Sequence, residues 1–120
     1  DNSAIKSQLK GRVSYTTLKD VITADRDDKK VAICATVVDV EEKRFTSKKT
    51  GEVEIFCKIT LQQNNDICEC VVWPEEYMQH RGVLLTIKDK LIICSATIKY
   101  SNYEGKNNLQ FNKKTLVEVI

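Results

Sequence analysis

The sequence predicts an all-β domain built around one small barrel of five strands. Three observations support this class: segments rich in β-branched residues recur along the chain, polar turns separate them, and one internal segment has helix signals at both ends. A length of 120 residues fits a single domain. With 42% hydrophobic and 30% charged residues, the composition is that of an ordinary globular domain rather than a disordered or fibrous chain.

Five segments have the composition and alternation of strands. In the second segment, alternation places Cys57 and Ile59 on an apolar face and Phe56 and Lys58 on the opposite, mixed face. Gly51 marks the turn that precedes this segment, because glycine adopts turn conformations without steric cost. The predicted strands are residues 31–43, 53–62, 67–73, 89–100 and 109–119.

A short helix is predicted between the third and fourth strands. Pro74 suits the first helical position, where its missing N–H would have had no partner. Glu75 and Glu76 in the first turn and Arg81 in the last complement the helix dipole, and Gly82 is expected to end the helix in the left-handed conformation. The segment therefore predicts about two helical turns.

A second short helix or turn is predicted over residues 14–22, with Ser14 or Thr16 as its cap. Residues 1–13 form a polar lead that is a candidate for disorder, and residues 14–120 are expected to form one domain.

The order strand, strand, strand, helix, strand, strand is that of the OB-fold, a Greek-key barrel that the helix plugs at one end. In this arrangement Cys68, Cys70 and Val72 of the third strand line the barrel, and Tyr77 or Met78 closes its floor. The predicted fold class is thus a five-stranded Greek-key OB-fold barrel with a helix between strands three and four.

Cysteine usage predicts neither disulfides nor a metal site. The five cysteines each lie in an apolar segment, an odd number cannot all pair, and no CxxC spacing occurs. Small buried hydrophobes in a reducing cytoplasm are the expected role, and no cofactor is expected. No apolar run approaches the roughly 20 residues of a membrane helix, so no membrane partner is expected.

Charge is segregated along the chain although the net charge is only +2. Residues 43–58 hold five basic and two acidic residues, and residues 90–120 hold the same numbers. Residues 62–89 hold two basic and five acidic residues. The positive segments coincide with the loops between strands one and two and between strands four and five, which flank the ligand-binding face of OB-folds.

The segments VAICATVVDV, TSKKTGE, ICECVVWPEEYMQHRGVLL and LIICSATI resemble the OB domain of bacterial, C-family DNA polymerase III alpha subunits. The resemblance covers about residues 15–120 and is strongest at the strand-proline-acidic helix; the remainder is similar to OB domains of the anticodon-binding type. Lys58 stands where the family commonly has an aromatic residue, and Phe56 is its expected substitute. The resemblance implies an accessory module that binds single-stranded DNA within a longer polymerase chain.

Lysine and arginine side chains are expected to contact phosphates, and aromatic side chains to stack on bases. The alternative is that the lysines are simply solvated and that Phe45 and Phe56 cover the barrel. Trp73 is expected to pack against the N-terminal lead or the helix, and His80 to lie at the helix surface. The predicted nucleic-acid-binding residues are Lys43, Arg44, Phe45, Lys48, Lys49, Phe56, Lys58, Lys99, Tyr100, Tyr103, Lys106 and Lys113.

No catalytic role is predicted for this segment. The pairs Asp27-Asp28 and Glu41-Glu42 are adjacent in sequence, so on a strand they point to opposite faces, and no glycine-rich phosphate loop occurs. The leading hypothesis is a monomeric domain that binds single-stranded DNA. An anticodon-type RNA-binding domain and a protein-interaction domain with basic loops are the alternatives.

Overall fold

The computed structural model describes residues 15–25, 29–102, 104–112, 115 and 117–120. The expectations for residues 1–13, Ser14, Tyr103 and Lys113 lie outside these residues. The elements are α1 Leu18–Thr23, β1 Lys30–Thr46, β2 Val53–Gln63, β3 Asp66–Val72, α2 Pro74–Leu84, β4 Leu91–Ser101, β5 Lys106–Gln110 and β6 Val117–Val119.

The sheet closes into a barrel because β1 is long enough to pair on both sides. Its first part pairs with β4, from Lys30 opposite Thr97 to Thr36 opposite Leu91, and its remainder pairs with β2. A bulge at Val37 separates the two parts, which bends the strand. The closed order is β1-β2-β3-β5-β4-β1, with β3 and β5 parallel and the other pairs antiparallel. The predicted OB-fold barrel is confirmed.

The barrel interior contains the apolar face that alternation predicted. Cys57, Ile59 and Leu61 of β2 face inward, as do Cys68 and Cys70 of β3. All five cysteines are buried and free, so their expected role as small core hydrophobes is confirmed. The outward residues of the same strands, among them those predicted to bind nucleic acid, therefore share the opposite face.

Helix α2 closes one end of the barrel through Tyr77. This side chain is 1% exposed and its hydroxyl donates a hydrogen bond to the Glu42 carboxylate, whereas Met78 is 72% exposed. Of the two predicted floor residues, Tyr77 is correct. The predicted helix end at Gly82 is wrong: Gly82 lies inside the helix, and the Leu85 N–H donates to the Arg81 carbonyl beyond it.

Helix α1 covers the other end, where two buried amides hold it. Gln63 accepts a hydrogen bond from the Leu18 N–H (3.1 Å) and donates to the Cys34 carbonyl (2.8 Å). Asn107 donates to the carbonyls of Val21 (3.0 Å) and Ala24 (2.7 Å) at the helix end.

The cap of α1 is neither of the two residues proposed from the sequence. Thr17 occupies this position, and its hydroxyl accepts from the Asp20 N–H at 3.1 Å. The helix therefore begins one residue later than a Thr16 cap would allow.

The predicted fifth strand, 109–119, is two strands rather than one. Thr115 accepts a hydrogen bond from the Asn112 N–H (2.7 Å) and donates its own N–H to the Asn112 carbonyl (3.1 Å), which interrupts the strand. The chain then forms β6, which pairs with β4 between Ile92 and Cys94. Within the described residues, no helix is long and apolar enough to cross a membrane.

Candidate nucleic-acid interface

Three aromatic rings gather on the outer face where β1, β2 and the end of β3 meet. The centroids of Phe56 and Trp73 are 5.3 Å apart with an angle of 32° between the rings, and Phe45 contacts both rings edge-on at 5.6 and 6.4 Å. These distances are those of favourable aromatic pairs. We call Phe45, Phe56 and Trp73 the aromatic platform.

The platform arises from register and alternation. Cys57 lies opposite Val72 and points inward with it, so the flanking residues Phe56 and Trp73 point outward together. Trp73 has extended dihedral angles at the helix N-cap, which continue the strand alternation by one residue. It remains 41% exposed.

A groove of about 300 Å³ runs from the platform to the β4–β5 loop. Lys58 and Val71 of the central strands lie between its two walls. One wall is the platform; the other is formed at the end of β4 and by β5. The groove is lined by Phe56, Lys58, Val71, Trp73, Lys99, Tyr100, Ser101, Glu104, Asn108 and Gln110.

The ammonium of Lys58 bridges two strands and a loop inside this groove. Its Nζ lies 2.7 Å from Glu69 Oε2 and 3.1 Å from Glu104 Oε1. The Glu69 hydrogen bond is the largest cause that raises the pKa of Lys58, against the opposing effect of burial. The Lys58 hydrogen bond in turn lowers the pKa of Glu104, so all three groups are ionised at neutral pH.

Glu104 also contacts two further groove residues. Lys106 Nζ lies 3.6 Å from Glu104 Oε2, and the Asn108 side chain hydrogen-bonds to the same carboxylate. The centre of the groove is thus a fixed array of charges rather than a uniformly positive strip.

The hairpin of β1 and β2 extends beyond the barrel as an arm with basic side chains. Its tip is a turn in which Ser47 receives the Gly51 N–H at 2.8 Å and Gly51 has φ of 72°, which glycine adopts freely. Arg44, Lys48 and Lys49 are exposed and have no ion pair among the described residues. The predicted turn at this position is confirmed.

The structure brings part of the predicted site together. Phe56, Lys58, Lys99 and Tyr100 line the groove, and Phe45 completes the platform beside it. Lys43 lies opposite Phe56 on β1, next to Arg44 on the arm that carries Lys48 and Lys49. Lys106 reaches the groove through Glu104.

The expected packing of Trp73 against the lead or α2 is wrong. Its ring packs on Phe45 and Phe56 and lines the groove. Alternation could have placed it there, because Cys70 and Val72 point inward and Val71 and Trp73 must then point outward. The side chain of His80 is half-buried, with its ring 5.8 Å from that of Phe111, rather than at the open surface.

Sequence reasoning also missed Glu104, Asn108 and Gln110 as groove residues. Their positions depend on the pairing of β5 with β3 and β4, which no local pattern specifies. In the described part of the chain, no group of three or more His, Cys, Asp or Glu side chains is placed to hold a metal ion.

Comparison with known proteins defines the fold. No protein-family model and no curated protein matches the chain. Among solved structures, the OB domain of Ta0387 from Thermoplasma acidophilum matches with a TM-score of 0.62 and 10% identity, over 88% of this chain and 86% of that one. At such identity the likeness establishes the OB-fold alone.

Two larger proteins contain similar domains. A replication protein A heterotrimer bound to single-stranded DNA matches with a TM-score of 0.64 and 12% identity, over 89% of this chain and 25% of that one. Aspartyl tRNA synthetase from Entamoeba histolytica matches with a TM-score of 0.59 and 16% identity, over 87% and 21% respectively. This chain therefore spans about a quarter or less of those proteins.

Proposed function

We propose that this domain binds single-stranded nucleic acid across the outer face of β2 and β3, with single-stranded DNA as its ligand. The observation that carries the proposal is the aromatic platform, which borders a groove between a basic arm and a basic β4–β5 segment. Exposed aromatic rings beside cationic side chains are the two elements by which OB-folds hold single strands.

The two elements have separate tasks in this proposal. Bases stack on Trp73 and Phe56, at about 1–3 kcal/mol per base with little dependence on sequence. Phosphates lie along the arm, near Arg44, Lys48 and Lys49, where binding releases counterions and is weakened by salt. Duplex DNA is excluded because its bases are stacked within the helix and cannot reach the platform.

The polymerase assignment extends this proposal and rests on the sequence resemblance alone. In that setting the domain is a binding module without catalytic activity of its own. It holds template strand for the remainder of a C-family polymerase chain. The replication protein A neighbour supports the choice of DNA, since that structure is bound to single-stranded DNA.

The proposal is tested by fluorescence anisotropy of a labelled oligo-dT titrated with the domain at several salt concentrations. We expect saturable binding, a linear fall of log affinity with log salt, and competition by single-stranded but not by duplex DNA. The alternative ligand is RNA, for which the aspartyl tRNA synthetase neighbour is the supporting observation.

Matched oligo-U and oligo-dU competitors separate the two, because they differ only in the 2′-OH. Tighter binding of oligo-U would replace DNA by RNA as the ligand. Absence of binding to either at low salt would refute the proposal in favour of a protein-interaction domain.

A further inference from the structure

The floor of the groove presents hydrogen-bonding groups in a fixed order. Lys58 Nζ lies 3.1 Å from Glu104 Oε1, and Glu104 Oε2 continues the row on the same carboxylate. Both side chains line the groove beside the ring of Trp73. A base stacked on that ring would bring its edge to one donor followed by two acceptors.

These groups retain capacity for a ligand. An ammonium has three donors, of which Glu69 and Glu104 take two. A carboxylate has about four acceptor positions, and Glu104 uses one for Lys58 and one for Asn108. One donor of Lys58 and about two acceptor positions of Glu104 therefore remain.

We propose that this groove contains a base-specific subsite for guanine, formed by Lys58 and Glu104 next to the aromatic platform. The inference rests on the proposed function and specifies its ligand. The Watson–Crick edge of guanine presents O6 as an acceptor, then N1–H and N2–H as adjacent donors. Lys58 donates to O6, while the two oxygens of Glu104 accept from N1–H and N2–H, a charge-assisted bidentate contact.

The other bases leave part of this row unmatched. Thymine and uracil offer one ring N–H flanked by two carbonyl oxygens, so one carboxylate oxygen faces a carbonyl. Cytosine and adenine present a ring nitrogen acceptor where the carboxylate needs a donor. A site that is built to pair with a ligand group discriminates strongly against ligands that lack it, because its own polar groups then lose a partner.

The fixed geometry of the row supports selection rather than general attraction. Lys58 is held from both sides by Glu69 and Glu104, which lie on β3 and on the β4–β5 loop. Asn108, 5% exposed, holds the Glu104 carboxylate from β5. Such second contacts orient the groups before a ligand arrives, which limits the cost of ordering them on binding.

The test compares oligo-dT of one length with the same oligonucleotide carrying a single central dG, dA, dC or deoxyinosine. Affinities are measured by anisotropy competition. We expect the dG oligonucleotide to bind more tightly than oligo-dT by about 5- to 150-fold, the range of a good bidentate contact. Deoxyinosine keeps O6 and N1–H but lacks the 2-amino group, and should lose most of that advantage.

Two variants separate recognition from charge. Glu104→Gln replaces one acceptor oxygen by a donor, so the ratio of dG to dT affinity should fall to about one. Glu69→Gln also alters an ion pair of Lys58, but its side chain does not line the groove, so this variant should keep the preference.

Three outcomes would overturn the inference while leaving the proposed function intact. They are equal affinity for dG and dT in the natural sequence, equal affinity for dG and deoxyinosine, and a preference that survives Glu104→Gln. The deoxyinosine comparison needs no variant, so it decides the matter even if Glu104→Gln fails to fold. Absence of binding to every oligonucleotide would instead refute the proposed function itself.

Discussion

The rings of Phe56 and Trp73 lie 5.3 Å apart at 32° to each other, joining the middle of one strand to the residue where the next strand becomes a helix. Because Trp73 is both the last outward residue of β3 and the N-cap of α2, its position is fixed by two elements. The platform is therefore rigid before any ligand binds, and a base that stacks on it orders few additional groups.

Replacing Trp73 with Ala should weaken binding of oligo-dT by about 1–3 kcal/mol, because one stacking surface is lost. Ile67→Ala is the matched control, since this side chain is also exposed on β3 but does not line the groove. Anisotropy titration of both variants measures the effect. Equal affinities for Trp73→Ala and Ile67→Ala would exclude the platform from the interface.

Replacing Lys48 and Lys49 together with Glu should weaken binding by a similar factor for every sequence. These side chains lie at the tip of the arm and are proposed to meet phosphates, which carry no sequence information. The slope of log affinity against log salt should also decrease in magnitude by about one. The measurement is a salt series of anisotropy titrations.

The double variant Lys88→Glu and Lys90→Glu is the control for net charge. Both lysines are exposed between α2 and β4, away from the arm. It changes the net charge equally, so an equal loss of affinity in both double variants would reduce the effect of the arm to overall charge.

Gln63→Met should destabilise the domain by about 1–3 kcal/mol. The substitution leaves the buried Leu18 N–H and Cys34 carbonyl without the partners that Gln63 provides. The neighbouring Gln62→Met is the control, because its side chain makes only one exposed hydrogen bond, to the Asn64 carbonyl. Urea unfolding compares the two, and a loss for Gln63→Met no larger than for Gln62→Met would contradict this role.

Stability should fall as the pH rises above about 9. Burial, the largest cause, raises the pKa of Cys57 and Cys68 to about 11 and that of Cys94 to about 12, against an ordinary value of 9.0. Between these values the unfolded chain releases thiol protons that the folded chain retains, so unfolding becomes more favourable. Lys58 acts in the same direction, because its raised pKa stabilises the fold below 10.5 and that contribution is lost above its folded pKa.

Urea titrations between pH 7 and 10 measure this loss, which should approach about 1 kcal/mol per buried thiol at pH 10. Cys68→Ala should remove its share of the decline. A pH-independent free energy of unfolding would show that these thiols are not protected by the fold.

The fold was predictable because its signals are local. Period-two alternation placed Cys57 and Ile59 inside and Phe56 and Lys58 outside, and Pro74 marked the start of the plugging helix. The errors lie where a local signal competes with tertiary contacts. Gly82 reads as a helix end, yet the helix continues until Leu84 is buried against the barrel.

The site was predictable only in part. Lysines and aromatics on the binding loops were found from composition, but the Lys58 network joins residues on β2, β3 and the β4–β5 loop. Such pairing follows from barrel closure and strand order, and a single sequence does not give the register of distant strands. The same limit hid the two buried amides, Gln63 and Asn107, which read as ordinary polar residues.

The most direct test of the central claim is the fluorescence of Trp73, the chain's single tryptophan, during titration with oligo-dT. If bases stack on the platform, emission should be quenched in a saturable manner, with the same midpoint as the anisotropy change of the labelled oligonucleotide. Duplex DNA of equal length should not quench it at those concentrations. An anisotropy change without any change in Trp73 emission would place the nucleic acid elsewhere and contradict the account.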